Sequence, residues 1–380
     1  MLPRFTPVKL ILMTADSSFL CCSKAFHTTE VILPCRSVRF ISYILCGFFL
    51  LGCGKKETSQ EVLKPSPTKP AHSDMNVFQK PGLWVKQTSL FDIKGGIFNT
   101  ASTTKIRWAL NGRCQLIESR IESEKGNKYS LVVNTYRNSA SKNKFKSTWF
   151  QDDGLVFGFV GDWNKEKTSL NWEKSFPPPG ADGLQFNLKD VFSGTKEVQT
   201  EFSIKRRGFP LKKGESRLAY VRELNAKDRV ESSPVCKELA RIGKEGLWKD
   251  SQSLTRDADN KTQKISVVNR MSWSWGGRCL INEGLIGSGE EKEHFLWVKT
   301  YDPIQKMYRY AYFFEDGAVY QYLGKWDPVG KKIRWASIFP PGVAEISEHF
   351  LTEDKRTYTL IIKIGQDTFT GQGVSEYMEE

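Results

Sequence analysis

Few side chains in this sequence combine the types and spacing that catalysis requires. Two acidic pairs, Asp152-Asp153 and Glu315-Asp316, could share general acid and base roles. Each runs directly into a glycine, Gly154 or Gly317. Acid followed by glycine is a hairpin signal, because glycine adopts positive φ without penalty. Both pairs therefore read as solvated turn residues. The four histidines, His27, His72, His294 and His349, show no metal-ligand spacing. Cysteine and histidine are not arranged for nucleophilic attack, and no phosphate-cradling glycine loop, nucleophile elbow or zinc-protease helix is present. The sequence predicts no catalytic residue, no metal and no cofactor, and an enzyme is the least favoured class.

Binding chemistry is better represented. Of eleven tryptophans, Trp108, Trp273, Trp275 and Trp297, with Tyr310 and Tyr312, are candidates to line a ligand cavity or to fill a core. Arg113 and Arg278 each follow a glycine at matching points of a repeat. Two roles fit them: closing a barrel by a cation–π contact with Trp84 and Trp248, which is preferred, or anchoring an anionic head group.

The elements that carry these residues occur twice. Gly82-Leu83-Trp84 recurs as Gly246-Leu247-Trp248, Gly112-Arg113-Cys114 as Gly277-Arg278-Cys279, Asp153-Gly154 as Asp316-Gly317, and Phe176-Pro177-Pro178 as Phe339-Pro340-Pro341. The offset is 164 at the first triplet, 165 at the second and 163 from the Asp-Gly pair onward. Such a period is too long for a solenoid, so each unit owns a core. Cys114 and Cys279 read as core-packing residues of their units.

Within a unit the signals are β signals. Tyr308, Tyr310, Tyr312 and Phe314 alternate with other residues, as do Phe295, Trp297 and Lys299, and Met271, Trp273, Trp275 and Gly277. Gly276-Gly277 marks a bend or bulge. Tyr301–Lys306, Glu315–Gly317 and Trp326–Lys332 are short turn-rich connections. Strands joined by hairpins form a meander, and closure into a barrel removes its edges. The predicted fold is all-β: two tandem lipocalin-like up-and-down antiparallel barrels, each entered through a short helix or turn. Ser233–Ile242 carries the helical pattern, with Val235, Leu239 and Ile242 on one face. Arg206–Asp228 matches the repeat least and includes a basic insertion.

The N-terminus reads as an address. An apolar run, Ile41–Gly52, follows Arg36 and Arg39 and ends in Leu50-Leu51-Gly52-Cys53. It has the length of a secretory h-region and is too short to span a membrane as a helix. Its end resembles a bacterial lipoprotein signal, which implies lipidation of Cys53 and a place in the bacterial cell envelope, periplasmic or cell-surface. The expected organisation is 1–53 over-extended N-terminus and signal, 54–80 flexible tether, 81–225 barrel 1, 226–245 connecting helix and 246–380 barrel 2.

A net charge of +13 invites a nucleic-acid partner, but the cations are scattered among acids, so none is expected. The opening Gly-Leu-Trp, Trp273–Cys279, Tyr301-Asp302-Pro303, Tyr308–Gly317 and Gly324–Pro328 together resemble an uncharacterised bacterial family of calycin (lipocalin-like) domains. The first unit departs from it at Asn111 and at Arg137-Asn138. The resemblance implies a lipocalin-like barrel and no established activity. Two readings follow: a lipid-anchored protein whose barrels hold a small apolar or amphipathic ligand, or a surface interaction module with filled barrels. The sequence names no protein partner.

Overall fold

The computed structural model describes residues 69–379 apart from 72, 77, 93–95, 123–125, 138–144, 178–182, 226–227, 229–235 and 289–290. The chain is all-β and forms two closed antiparallel barrels in tandem. Barrel 1 runs through β1 (Gly82–Asp92), β2 (Ile97–Ala109), β3 (Cys114–Ile121), β4 (Lys128–Tyr136), β5 (Phe145–Gln151), β6 (Val156–Trp163), β7 (Ser169–Phe176), β8 (Leu184–Phe192), β9 (Glu197–Arg206) and β10 (Phe209–Arg222). Barrel 2 runs through β11 (Gly246–Arg256), β12 (Lys261–Trp273), β13 (Cys279–Ser288), β14 (Glu291–Asp302), β15 (Met307–Phe314), β16 (Val319–Asp327), β17 (Lys332–Phe339), β18 (Pro341–Phe350), β19 (Lys355–Ile364) and β20 (Asp367–Met378).

Every strand pairs with its chain neighbours, and the first closes on the last: Trp84 lies opposite Tyr220 and Trp248 opposite Tyr377. Each barrel has ten strands, two more than the roughly eight of a lipocalin. The segment read as a basic insertion is no insertion. Its residues Phe209–Arg222 are β10, which hydrogen-bonds both β9 and β1 and seals barrel 1.

One end of each barrel is plugged by the segment that precedes its first strand. In barrel 2 this is α1 (Lys237–Ala240), with Leu239 and Ile242 buried in the core. In barrel 1 a 3-10 turn at Ser73–Met75 does the same, with Met75 and Phe78 buried. Met75 and Phe78 precede Trp84 by the same spacing as Leu239 and Ile242 precede Trp248. The described end of the expected tether is therefore not loose: two of its apolar residues belong to the barrel. Cys53 and the rest of the signal lie outside the described residues.

The barrels dock on each other. One apolar cluster contains Cys114, Leu116, Leu131, Val133, Phe150 and Val156 of barrel 1 with Cys279, Ile281, Leu296, Val298, Phe313 and Val319 of barrel 2. These two sets are equivalent position for position in the repeat, so the contact is a pseudo-two-fold one. Gly154 in the β5–β6 turn, at φ +81°, faces the backbone of Tyr301 and Asp302; Gly317 in the β15–β16 turn, at φ +78°, faces that of Tyr136 and Arg137. A side chain at either turn would collide with main chain that cannot move aside. Phe176 meets Phe339, its own equivalent, at a centroid distance of 6.0 Å.

Candidate functional site

The site is built from the inward faces of barrel 2. A cavity of about 190 Å³ lies inside it. Phe295, Trp297, Tyr310, Tyr312 and Tyr322 form its aromatic wall, and Ala344 leaves space opposite. Alternation puts these residues inside: Phe295 and Trp297 share one face of β14, Tyr310 and Tyr312 one face of β15. Trp297 meets Tyr310 edge-on at 5.8 Å, and Tyr310 stacks on Tyr322 at 5.0 Å. Burial pushes the phenols of Tyr310 and Tyr312 well up, so both stay neutral hydrogen-bonding groups.

Against this wall the barrel carries a charged patch. Cross-strand pairing sets Trp248 opposite Asn269, Asp250 opposite Ser375, and Ser375 opposite Arg356. Four polar side chains thus follow one another across β12, β11, β20 and β19. Arg356 is buried, its guanidinium 5.2 Å from the Trp248 ring centroid, and it donates to the Ile242 carbonyl oxygen at 3.4 Å. Asp250 Oδ1, both amide atoms of Asn269 and Ser375 Oγ are buried without a well-aligned hydrogen bond, although Ser375 and Asn269 lie close enough to Asp250 to favour its charged form. Burial raises the Asp250 carboxyl, with Arg356 pulling the other way. Of these four residues Asp250 and Arg356 line the cavity, and buried charged groups facing a cavity are where a polar group of a guest would be held.

Next to it sits a satisfied ion pair. Lys299 Nζ donates to both carboxylate oxygens of Glu348 at 2.9 Å, and Trp335 Nε1 donates to Glu348 Oε2 at 3.1 Å. The ammonium lies 4.7 to 5.1 Å from the centroids of Trp297, Trp335 and Tyr310. This is a cage that replaces water around the cation. Burial pulls Lys299 down to about 8 against the attraction of Glu348. Burial works to raise Glu348, but Lys299 and Arg356 outweigh it and leave the carboxyl below its ordinary range.

The structure brings together only some of the residues proposed from sequence. Trp297, Tyr310 and Tyr312 line the cavity. Trp273 packs against the barrel 2 core without lining the cavity, and Trp108 is buried in the core of barrel 1. Trp275 is not inside: β12 ends at Trp273, and Trp275 begins a 3-10 turn whose Gly276 takes φ +80°. Its ring lies 4.2 Å from Lys105 Nζ, and its backbone N–H donates to Glu118 Oε2 at 2.6 Å, both in barrel 1. The glycine pair thus forms the hairpin itself and not a bulge within a strand.

Arg113 and Arg278 do not cap Trp84 and Trp248. Each reaches across the docking face to the acid of the opposite turn: Arg278 to Asp152 at 3.1 Å and Arg113 to Glu315 at 3.4 Å. The cation over Trp248 is Arg356; near Trp84 the equivalent position holds Val198. Cys114 and Cys279 are buried free thiols, but in the shared cluster between the barrels and not in each barrel's own core. Burial pushes the Cys279 thiol up to about 12. Among the described residues no group of three or more His, Cys, Asp or Glu could hold a metal ion.

Sequence reading missed Asp250, Glu348 and Arg356. The signal was parity: Asp250 follows Trp248 by two residues, Glu348 follows Ala344 and Ile346, and Arg356 leads Tyr358 and Leu360. Lys299 stood in a recognised alternating run without its partner being seen.

No family model and no curated protein matches the chain. Among solved structures, a protein of unknown function from the DUF3598 family of Nostoc punctiforme is 12% identical. The match covers 81% of this chain and 100% of that one at a TM-score of 0.26. An AttH-type protein from Nitrosomonas europaea is 10% identical over 86% of this chain and 98% of its own, at 0.18. An S-type phycobiliprotein lyase from Guillardia theta is 13% identical over 38% and 93%, at 0.23. Likeness at this level carries no functional argument. The barrel assignment rests on the strand pairing itself.

Proposed function

We propose that barrel 2 is a binding domain for a small amphipathic molecule, with an aromatic or short aliphatic body and a polar, hydrogen-bonding head. The carrying observation is the cavity that joins an aromatic wall to the buried charged groups Asp250, Glu348 and Arg356. A cavity of about 150 Å³ is large enough to admit benzene, so about 190 Å³ suits a single-ring compound. Asp250 Oδ1 favours a donor on the guest, such as an amine or hydroxyl. In this reading the chain is an exported bacterial protein held at the cell envelope by lipid on Cys53.

Native mass spectrometry of the protein from its source tests the binding claim through a co-purified adduct, and calorimetry with phenethylamine and p-cresol tests it directly. Stabilisation of barrel 2 by either probe supports the reading. Absence of an adduct together with no response to either probe rejects it. The mass of the mature N-terminus tests the anchor: a diacylglyceryl addition on Cys53 is expected, and recovered peptides from residues 1–34 overturn it.

A second reading applies to barrel 1. Phe145, Phe159 and Trp172 are buried inside it with Met75 and Phe78, which favours a filled barrel acting as a structural or interaction module.

A further inference from the structure

The end of barrel 1 opposite its plug has an unusual surface. There the β1–β2 and β9–β10 hairpins lie side by side, because β1 pairs with β10 and sets Phe91 opposite Lys213. Four large apolar side chains stand exposed at these tips: Ile97 at 62%, Phe98 at 57%, Phe209 at 75% and Leu211 at 38%. Between them the β9–β10 hairpin, Lys205-Arg206-Arg207-Gly208-Phe209-Pro210-Leu211-Lys212-Lys213, carries five cations and no acid. All five are exposed. Among the described residues none of them has an ion-pair partner; Lys213 lies 5.9 Å from the Phe91 ring centroid.

The matching end of barrel 2 is different. Its β11–β12 hairpin carries Asp257 and Asp259, and Arg256 there is tied to Asp367 of the β19–β20 hairpin at 3.2 Å. Arg256 is paired locally, and on the β11–β12 and β19–β20 strand pairs Ile361, at 41%, is the one large apolar side chain exposed among the described residues. The barrel 1 tip is therefore not a general property of the fold.

Water is a poor environment for four exposed apolar groups, and mutual repulsion among five cations, with Asp92 opposite Lys212 as the acid on the neighbouring strand, is a further cost. A surface that relieves both must offer hydrocarbon and fixed negative charge a few ångströms apart. We propose that this tip docks on an anionic phospholipid surface, with Ile97, Phe98, Phe209 and Leu211 entering the headgroup boundary and the five cations held at the phosphates. A single-stranded nucleic acid would use stacked aromatics along a groove. Here aliphatic side chains share a protruding tip, which favours lipid. The inference is independent of both the cavity and the Cys53 anchor.

The test uses the full chain with Cys53→Ser, so that no acyl group contributes. Binding to vesicles of phosphatidylcholine with and without phosphatidylglycerol is measured by sedimentation. Hydrogen exchange on the bound protein then locates the contact. The expected result is preference for the anionic vesicles, weakening at high salt, with protection at Gly96–Thr100 and Gly208–Gly214. Each cation near such a surface contributes about five-fold in affinity, so the double variant Lys212→Glu, Lys213→Glu should lose about 30-fold or more. Phe209→Ser with Leu211→Ser should weaken binding at every salt concentration. Equal binding by parent and variants overturns the proposal. So does protection confined to other segments, or tip protection by single-stranded RNA but not by anionic vesicles.

Discussion

Barrel 1 and barrel 2 share strand order, plugs and docking face, yet they spend their interiors differently. At the position of Asp250 barrel 1 has Lys86, and at that of Arg356 it has Val198. Where barrel 2 has Glu348, barrel 1 has Asp190, and where barrel 2 has Lys299, barrel 1 has Asn134. The Trp–acid contact survives in both: Trp172 Nε1 donates to Asp190 Oδ2 at 2.7 Å, as Trp335 does to Glu348. Thr200 satisfies the other oxygen of Asp190 at 2.7 Å. In barrel 1 one acid takes two neutral donors, with Lys86 attracting it electrostatically. Two acids and two cations beside a cavity form a site. The frame is held in common, and the interior charges are where the copies diverge.

Removing the central acid of each interior should separate the two barrels most strongly. Glu348→Ala strands Lys299 in a buried cage and should cost about 3–5 kcal/mol. Asp190→Ala leaves two neutral donors unpaired and removes the charge that Lys86 faces without a direct ion pair, and should cost about 1–3 kcal/mol. Denaturant unfolding monitored for each barrel by hydrogen exchange would compare them; equal costs would erase the distinction.

A gentler probe fills the cavity. Ala344→Leu should abolish stabilisation of barrel 2 by phenethylamine, a loss of about 2.7 kcal/mol when the ligand is at a hundred times its Kd, while the unliganded protein loses no more than about 1–3 kcal/mol. Calorimetry with and without the amine reads both. At the docking face, Arg278→Ala and Arg113→Ala remove half-exposed ion pairs. Each should cost less than about 1 kcal/mol and vanish in high salt, as equilibrium unfolding at two ionic strengths would show.

The smallest expected effect depends on pH. Burial, with Glu315 and Asp316, raises Glu293 to about 7. A carboxyl raised above its unfolded value contributes stability fully present below about 4.5, and that contribution is lost as pH rises through 7. Glu293→Gln should therefore raise the thermal midpoint at pH 8 and leave it unchanged at pH 4. The equivalent residue in barrel 1 is Lys128, which opposes the raised carboxyl of Asp152, so the same pH test on Lys128→Gln should show no such gain.

Much of the fold was legible because period-two alternation and acid–glycine turns are local signals. Tyr308–Phe314 and the Glu315–Gly317 turn needed no long-range information. What stayed hidden was which buried face met what. In Phe295-Leu296-Trp297-Val298 four consecutive residues are buried, the mark of a strand covered on both sides. One face looks into the barrel and the other onto the neighbouring barrel, and a repeat within one chain does not distinguish them. Hence Arg113, Arg278, Cys114 and Cys279 read as features of single barrels when they serve the contact between two. The charged interior was missed for a related reason: Lys249-Asp250 looks solvated until Trp248 fixes which of the pair points inward.

The equivalence of the two docking faces has a consequence for assembly. A face that fits its near copy also fits itself, as in isologous dimers. Expressed alone, either barrel would expose an apolar surface matched to its own and should self-associate. In the fused chain a short connection keeps the partner at an effective concentration in the millimolar range, so the intramolecular pair wins. The duplication thus works as a built-in stopper, turning a surface that would otherwise recruit copies into one that is already occupied.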